Sequence, residues 1–253
     1  MSRATFETVL ITGASSGLGA ALARAYSSPD RRLVLWGRDQ ARLNDTAEEC
    51  RKSGSEVETE CFDISDLDRM TTALIARDAR TAVDLAIFNA GLGGVVPAES
   101  LAEDPVRSRA IAMVDFASPV VAASVLAERM SARGRGHIAF TGSIAESFPL
   151  PMAPTYAGAK AGLAMFAEAL RLRMKRHGVA VSLFSPGFID TPMSRSVNSA
   201  KPFLMNADAA AAQIKARLAR KTARFVLPWQ FSLIRAAYRL LPRSLAALVL
   251  ERL

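Results

Sequence analysis

The chain has 253 residues, 50% of them hydrophobic, and a formal net charge of +8. This length and composition predict a single α/β domain with a well-buried core, and no linker, repeat or low-complexity tract divides it. Cys50 and Cys61 form no metal-type cluster, so we expect no metal site. Residues 1–8 carry no apolar signal segment, and no uncharged apolar stretch of about 18 residues indicates a membrane span. We therefore expect a cytoplasmic protein.

Apolar and helical segments alternate along the chain. Such alternation predicts a single Rossmann-type doubly wound parallel sheet with helices on both faces, which we assign to residues 1–227. Ligands of such sheets bind at the carboxyl ends of the strands. Strands are predicted to begin near Thr8, Arg32, Val57, Val83, His137, Val179 and Phe225, with helices near 17–28, 39–53, 65–80, 104–132, 155–177 and 207–220.

A glycine-rich turn follows the first predicted strand and precedes an alanine-rich helix. Glycines in this position let the backbone approach a pyrophosphate, which sits against the positive end of the helix. The turn therefore predicts a dinucleotide site. Its sequence is Thr12-Gly13-Ala14-Ser15-Ser16-Gly17-Leu18-Gly19, in which Gly13, Ser15, Ser16, Gly17, Leu18 and Gly19 are the candidate cofactor residues.

A candidate proton-transfer group lies farther along the chain. Tyr156 and Lys160 are four residues apart in a segment of helical composition, so both lie on one helix face. A fixed cation beside a phenol favours the phenolate and lowers its pKa. Ser143, thirteen positions before Tyr156, is a candidate second donor. The trio resembles a device for proton transfer near neutral pH, although the pair alone is equally compatible with a solvated helix face.

In this order the motifs resemble those of the short-chain dehydrogenase/reductase family, and the resemblance covers residues 5–227. It implies hydride transfer between a nicotinamide cofactor and a carbonyl or alcohol, with Tyr156 as general acid/base and Ser143 as a hydrogen-bond donor to the reacting oxygen. It also implies that Lys160 holds the nicotinamide ribose and lowers the pKa of Tyr156. The cofactor residues that it implies beyond the glycine-rich turn are Asp63, Ile64, Asn89, Ala90, Gly91, Tyr156, Lys160, Pro186, Gly187, Ile189 and Thr191.

The end of the second predicted strand bears on the choice of cofactor. An enzyme that prefers NAD usually places an acidic side chain there to hold the ribose hydroxyls, but the family alignment puts Gly37 at this position. Arg38 follows, and a guanidinium suits a 2′-phosphate through paired charge-assisted hydrogen bonds, which Ser15 is placed to supplement. We therefore expect NADP(H). The alternative is that Arg38 is an ordinary exposed arginine, partly neutralised by Asp39.

The chain departs from the family pattern in the long helix before the fifth strand. Asp115 stands where the family usually has an Asn that helps hold a water linked to the lysine, and Ser118 stands where it has a glycine. An ionised Asp115 would strengthen the positive charge of Lys160 but oppose formation of the tyrosinate, and a carboxylate lacks amide donors. Asp115 is a candidate catalytic residue; the alternative is that its backbone carbonyl does the essential work.

The C-terminal part of the chain leaves several interpretations open. Residues 193–212 are expected to form a flap over the substrate. Its apolar residues Phe203, Leu204 and Met205 either line an apolar pocket or pin the flap to the core. Residues 228–253 are predicted to form an amphipathic basic helical extension that packs on another subunit, covers the substrate pocket or lies on an anionic membrane. In this extension Arg235 and Arg239 share one predicted helix face, with Phe231, Ile234, Tyr238 and Leu241 on another.

Together these features predict an NADP-dependent oxidoreductase for a small-molecule carbonyl or alcohol. The family implies a homodimer or homotetramer, formed through the helices near 104–132 and 155–177. No nucleic-acid partner is expected, because no recognised binding module accompanies the high pI. The alternatives are a membrane-surface reductase of a lipid-linked substrate and a nucleotide-binding regulator with weakened catalysis. His137 and His177 are predicted to be structural.

Overall fold

The computed structural model describes residues 6–240, except residues 98, 198 and 199 and the side chain of Arg239. Seven parallel strands form one sheet in the order β3-β2-β1-β4-β5-β6-β7. The chain passes to the opposite half of the sheet between β3 and β4, so the switch point lies between β1 and β4. The strands are β1 (Thr8–Thr12), β2 (Arg32–Gly37), β3 (Glu56–Cys61), β4 (Leu85–Phe88), β5 (Gly136–Thr141), β6 (Val179–Pro186) and β7 (Arg224–Leu227).

The α-helices cover both faces of this sheet, which confirms the predicted Rossmann-type doubly wound fold. Two 3₁₀ turns, Ile144–Ser147 and Lys175–His177, and a short helix after β6 were not predicted. The α-helices are α1 (Gly17–Tyr26), α2 (Gln40–Lys52), α3 (Leu67–Arg80), α4 (Pro105–Ala112), α5 (Ser118–Ala132), α6 (Pro154–Met174), α7 (Pro192–Arg195), α8 (Ala207–Leu218) and α9 (Gln230–Leu240).

Two apolar cores hold the layers together, one on each face. Helices α1, α2 and α8 pack on the first face, where Leu22, Leu43 and Ile214 are fully buried. Helices α3, α5 and α6 pack on the other face, and Leu126 and Leu163 belong to that core. Strands buried on both faces are expected to read as continuous apolar runs, and all five residues of β1 are buried. The sheet is therefore a rigid support for the loops at its carboxyl edge.

The predicted helix over 104–132 is interrupted at its centre. Residues Met113–Ala117 form a π turn between α4 and α5, and both the amide and the hydroxyl of Ser118 reach the carbonyl oxygen of Met113. π turns are rare and occur frequently at functional sites. Within the described residues this run, Pro105–Ala132, is the one helix long and apolar enough to cross a membrane, and half of its most apolar stretch is buried inside the domain.

Helix α9 packs back on the domain with a different face from the one predicted. Phe231 is 4% exposed, whereas Ile234 is 43% exposed. Arg235 lies on the inward face with Phe231, because it pairs with a buried carboxylate at 3.5 Å. The predicted division into an arginine face and an apolar face is therefore wrong for Arg235 and Ile234. Leu241 and the rest of the predicted extension, residues 242–253, lie outside the described residues.

Candidate active site

The glycine-rich turn adopts a backbone that requires glycine at three positions. Gly13 and Gly17 have φ values of +69° and +54°, in the left-handed region that side chains disfavour. A Cβ on Gly19 would lie 2.0 Å from the carbonyl oxygen of Gly13, and one on Gly13 would lie 2.8 Å from Cα of Ala90. The turn is thus packed tightly against Ala90, which follows the end of β4.

The N-terminus of α1 fits an anionic group. Ser16 precedes it in extended conformation and makes no side-chain cap, in contrast to Asp39, Asp66 and Asp104, which cap α2, α3 and α4. The amides of the first turn of a helix have no intrahelical acceptor and carry the positive end of the dipole. A phosphate at this position would find amide donors that α2, α3 and α4 share with their capping side chains.

Thr12 joins the turn to the next predicted cofactor segment. Its Oγ1 accepts hydrogen bonds from the amides of Asn89 and Ala90, each at 3.0 Å. The hydroxyl of Thr141 donates to Oδ1 of Asn89 at 3.3 Å. The ends of β1, β4 and β5 are thereby held in one network across the switch point. Sequence reasoning included Thr12 in the motif but assigned it no role. Its position at the end of the first strand was the signal that could have indicated one.

Gly37, at the end of β2, is closely packed against Ser15 and Leu43. A Cβ on Gly37 would lie 3.1 Å from Oγ of Ser15 and 3.4 Å from Leu43. Arg38 is exposed, and among the described residues it makes no ion pair with a carboxylate. Asp39 pairs instead with Arg42 at 3.1 Å and caps α2, so the neutralisation of Arg38 by Asp39 is not observed.

Asp63 and Ile64 lie at the neighbouring strand end. The Asp63 carboxylate accepts the amide of Ser65 at 2.9 Å. That hydrogen bond, with a smaller contribution from the charge of Arg38, lowers the pKa of Asp63. Ile64 is 8% exposed. The structure therefore places Arg38, Asp63 and the glycine-rich turn along one edge of the sheet.

Lys160 and Tyr156 lie on α6 with Lys160 almost completely buried. The Lys160 ammonium is 5.7 Å from the centroid of the Tyr156 ring and donates to the carbonyl oxygen of Thr141 at 3.1 Å. Lys160 is 4% exposed, so the pair is not on a solvated helix face. Ser143 follows β5, is 8% exposed, and its hydroxyl acts to lower the pKa of Tyr156. The three residues predicted as a group are brought together at the ends of β5 and α6.

Asp115 forms a buried ion pair with this lysine. One carboxylate oxygen lies 3.1 Å from the Lys160 ammonium, and the other accepts the amide of Leu92 at 2.7 Å. Burial alone would lower the pKa of Lys160, but the charge of Asp115, with Tyr156 and Glu146, outweighs it and raises that pKa. The lysine is therefore held in its charged form, and the side chain of Asp115 takes part in the arrangement.

The pKa of Tyr156 is raised, which differs from the lowering expected from Lys160. Burial of the phenol is the largest cause. Lys160 and the hydrogen bond from Ser143 act in the opposite direction, while the negative charges of Asp115 and Glu146 add to the rise. The expectation was wrong in direction because it considered the cation without the burial and the nearby anions. In this arrangement Tyr156 is a protonated phenol at neutral pH.

The loop after β6 closes the site from the opposite side. The Gly187 amide donates to the carbonyl oxygen of Leu227 at 2.6 Å, which ties the loop to β7. Thr191 caps α7, and a Cβ on Gly17 would lie 3.1 Å from its Cβ, so Thr191 packs on the glycine-rich turn. Ile189 is 6% exposed. The segment from Pro186 to Thr191 therefore reaches the glycine-rich turn.

One of the three flap residues pins the flap to the core. Met205 bridges to Ile189 and packs against the core, so it pins the flap. Phe203 and Leu204 are 47% and 49% exposed. The Phe203 ring lies 5.5 Å from that of Phe231 on α9.

Glu146 is a site residue that sequence reasoning missed. It is the third residue after Ser143, and one of its carboxylate oxygens lies 3.4 Å from the Ser143 amide. This contact completes a capping box at the start of the 3₁₀ turn Ile144–Ser147. The Ser-x-x-Glu spacing was a local signal for this box. The other partners of the Glu146 carboxylate come from β6, β7 and α9. These elements are far from Glu146 in sequence, and no local pattern indicates the contacts.

These features belong to a known family of oxidoreductases. The family model of the short chain dehydrogenases matches residues 7–202, and the chain belongs to the short-chain dehydrogenase family. It is 30% identical over 254 residues to an uncharacterized oxidoreductase of Myxococcus xanthus (strain DK1622), covering 100% of both chains.

Two solved structures show the same fold. A short-chain dehydrogenase from Sphingobium yanoikuyae in complex with NADPH has a TM-score of 0.81 at 23% identity, covering 92% of this chain and 94% of that chain. A metagenomic short-chain oxidoreductase in complex with NADP has a TM-score of 0.73 at 28% identity, covering 87% of this chain and 96% of that chain. Both match almost the whole described domain.

Proposed function

We propose that this protein is an NADP-dependent oxidoreductase that interconverts a carbonyl and an alcohol of a small molecule, with Tyr156 as general acid/base. The observation that carries the proposal is the cluster of Ser143, Tyr156 and Lys160 beside a glycine-rich turn at one sheet edge. The Lys160 ammonium lies 5.7 Å from the centroid of the Tyr156 ring, and Lys160 is buried. A lysine on a solvated helix face would be exposed.

The residues that would hold NADP fit the group on three observations. The backbone of the turn from Gly13 to Gly19 leaves no room for side chains toward β4, and the first amides of α1 lack a side-chain cap. Arg38 is exposed beside Ser15 and suits the 2′-phosphate, since a guanidinium makes paired charge-assisted hydrogen bonds to phosphates. Residues 89–91 and 186–191 would flank the nicotinamide. The NADPH and NADP complexes of the two similar proteins support this assignment.

NADPH, when bound, supplies the hydride that reaches the carbonyl carbon of the substrate. Tyr156 donates its phenolic proton to the developing alkoxide, and Ser143 donates a hydrogen bond to the same oxygen. Lys160 would hold the ribose hydroxyls of the bound cofactor and, as a fixed cation, stabilises the tyrosinate that remains. Because burial, Asp115 and Glu146 raise the pKa of Tyr156, the phenol is protonated before reaction. Tyr156 therefore begins the reduction in the form that can donate a proton.

The experiment that tests the proposal is a panel of carbonyls with NADPH and of alcohols with NADP, monitored by absorbance of the reduced nicotinamide. We expect turnover with at least one pair and tighter binding of NADPH than of NADH. Ser143→Ala should lose about two orders of magnitude in kcat, the usual effect of removing a donor to a developing oxyanion. Equal binding of both cofactors, or turnover unchanged by Ser143→Ala, contradicts the proposal.

A second candidate, a membrane-surface reductase, is supported by the outer face of α9. Trp229, which directly precedes α9, and Leu233 and Leu240 of the helix follow one another at helical spacing and are 62%, 60% and 86% exposed. From residue 220 onward the sequence carries seven basic residues and one acid. Apolar side chains beside a basic stretch are what an anionic membrane surface attracts.

A homo-oligomer, which the family implies, is supported by apolar side chains on α6 and the π turn. Met165 and Leu172 are 73% and 59% exposed and lie two helical turns apart. Phe116 of the π turn is 38% exposed and packs on Gly162. Sedimentation velocity should show a dimer or tetramer, and Met165→Glu together with Leu172→Glu should shift it to the monomer. The absence of nucleic-acid binding and the cytoplasmic location stay predictions.

A further inference from the structure

The carboxylate of Glu146 is almost completely buried beside the reactive residues. Its side chain is 1% exposed, and a Cβ on Gly142 would lie 2.6 Å from its Oε2. Burying a carboxylate costs several kcal/mol unless partners offset it. The partners of the Glu146 carboxylate therefore indicate the role of this residue.

Three side chains from three separate elements converge on one oxygen of this carboxylate. The Ser185 hydroxyl from β6 donates at 2.8 Å, and the Arg224 guanidinium from β7 donates at 2.6 Å. The guanidinium of Arg235, on α9, lies 3.5 Å away with its side chain 15% exposed. The other oxygen faces the amide of Ser143 at 3.4 Å. Glu146 thus links the turn that carries Ser143 to the C-terminal helix.

Helix α9 contacts both loops that border the site. At its start, Phe231 packs on Gly187, where an added Cβ would lie 2.2 Å from the ring, and its ring is 6.4 Å from that of Phe188. Near its end, the Tyr238 ring lies 4.9 Å from Phe148, which directly follows the Ser143 turn. The helix therefore spans from the loop after β6 to the loop after β5, and the Glu146–Arg235 pair lies between these two aromatic contacts.

We propose that Glu146 is a positioning residue that fixes the turn carrying Ser143, and that α9 holds Glu146 in place through Arg235. The inference rests on the proposed function for Ser143, but the link between α9 and the turn is a statement about the fold alone. It assigns the C-terminal helix a part in forming the active site of its own chain. A shift of about 1 Å in a positioned group lowers turnover about a hundredfold, so a loosened turn should affect kcat more than cofactor binding.

The test uses the full-length variants Glu146→Gln and Arg235→Gln, the double variant, and Arg235→Lys as a conservative rescue. Glu56→Gln is the matched control, because Glu56 also pairs with an arginine, Arg32 at 2.6 Å, at the opposite edge of the sheet. Two readouts are measured: hydrogen exchange of residues 143–148 and 230–240, and kcat with KM for NADPH.

Arg235→Gln should increase exchange in both segments and lower kcat about tenfold or more, with KM for NADPH changed less than about twofold. The double variant should lose no more than Glu146→Gln alone, because coupled residues are not additive, and Arg235→Lys should recover most of kcat. Glu56→Gln should change neither readout.

Unchanged exchange of residues 143–148 in Arg235→Gln, or additive losses in the double variant, overturns the inference. A rise in exchange without any loss of kcat overturns it as well. If the wild-type protein turns over no carbonyl or alcohol, the proposed function fails, and the exchange data alone then decide whether α9 holds the turn.

Discussion

The carboxylate of Asp115 lies 3.1 Å from the ammonium of Lys160, and both side chains are buried. The family usually has an amide at this position. The anion keeps Lys160 charged and raises the pKa of Tyr156, so one substitution acts on both partners of the proton-transfer group.

Asp115→Asn should lower the pKa of Tyr156, because it removes a negative charge that opposes the tyrosinate. In the oxidation direction, where the tyrosinate is the base, the rise of kcat/KM with pH should move to lower pH. Asn keeps an oxygen that accepts the amide of Leu92. The measurement is the pH profile of alcohol oxidation with NADP. A profile that stays in place or moves to higher pH contradicts the assignment, and a large gain in turnover would support the hypothesis of weakened catalysis in the natural chain.

Tyr156→Phe should lower kcat by about 10²–10⁴, the usual contribution of a general acid, while the dissociation constant for NADPH changes less than about twofold. Stopped-flow kinetics and titration of NADPH fluorescence measure the two quantities. Tyr26→Phe is the matched control, since the buried hydroxyl of Tyr26 has no hydrogen-bond partner among the described residues. Comparable turnover of Tyr156→Phe and the control rules out the acid/base role.

Arg38→Ala should raise KM for NADPH about tenfold to a hundredfold, the effect of losing charge-assisted hydrogen bonds, and should leave KM for NADH nearly unchanged. Arg42→Ala is the control, because Arg42 is an exposed neighbour engaged with Asp39. Steady-state kinetics with both cofactors decide the outcome. An equal effect of Arg38→Ala on both cofactors refutes the expected NADP preference.

His137 should make the free energy of unfolding dependent on pH. It is fully buried, its Nε2 lies 2.8 Å from the Ser182 hydroxyl, and burial, with the charge of Lys221, lowers its pKa to about 3. The folded state keeps the imidazole neutral while the unfolded chain takes up a proton near pH 6.5. The contribution of neutral His137 to the free energy of unfolding is therefore complete above about pH 6.5. It is lost as the pH falls toward 3, by on the order of 5 kcal/mol.

Denaturant unfolding of His137→Gln across this pH range should show a smaller loss of stability than the wild type. The exposed His177 provides the control His177→Gln, which should follow the wild-type curve. Parallel curves for all three proteins would show that His137 is not the group responsible.

The outer face of α9 should bind anionic membranes if the second candidate function holds. Full-length protein should cosediment with vesicles containing phosphatidylserine and not with phosphatidylcholine alone. Replacing Trp229, Leu233 and Leu240 by Ser should remove most of the bound fraction, whereas Leu172→Ser on α6 should not. Equal sedimentation with both kinds of vesicle, or sedimentation with neither, contradicts the membrane-surface function. The proposal is then an oxidoreductase that acts free in solution.

The sheet and its helices could be predicted because their signals are local. Predicted strand starts fall within two residues of the observed ones, and the turn from Gly13 to Gly19 lies between β1 and α1 as its sequence indicates. The pKa of Tyr156 could not be predicted, since it depends on burial and on Asp115 and Glu146, which the fold brings together. Helical periodicity places Arg235 on the same face as Phe231, four residues earlier, but that this face packs on the domain depends on the long-range contact of Arg235 with Glu146.

The π turn at Met113–Ala117 sets the rotational phase between α4 and α5. Such a turn holds one residue more than an α turn, and each residue of an α-helix accounts for about 100° of rotation. Because the wider turn absorbs that residue, α4 and α5 keep the relative phase of a regular helix, whereas an extra residue that was not absorbed would rotate one segment against the other by about 100°. The extra residue therefore lets α5 keep its register on the sheet while Asp115 faces the lysine, so length changes in this short segment should be tolerated far less than in the surface loops.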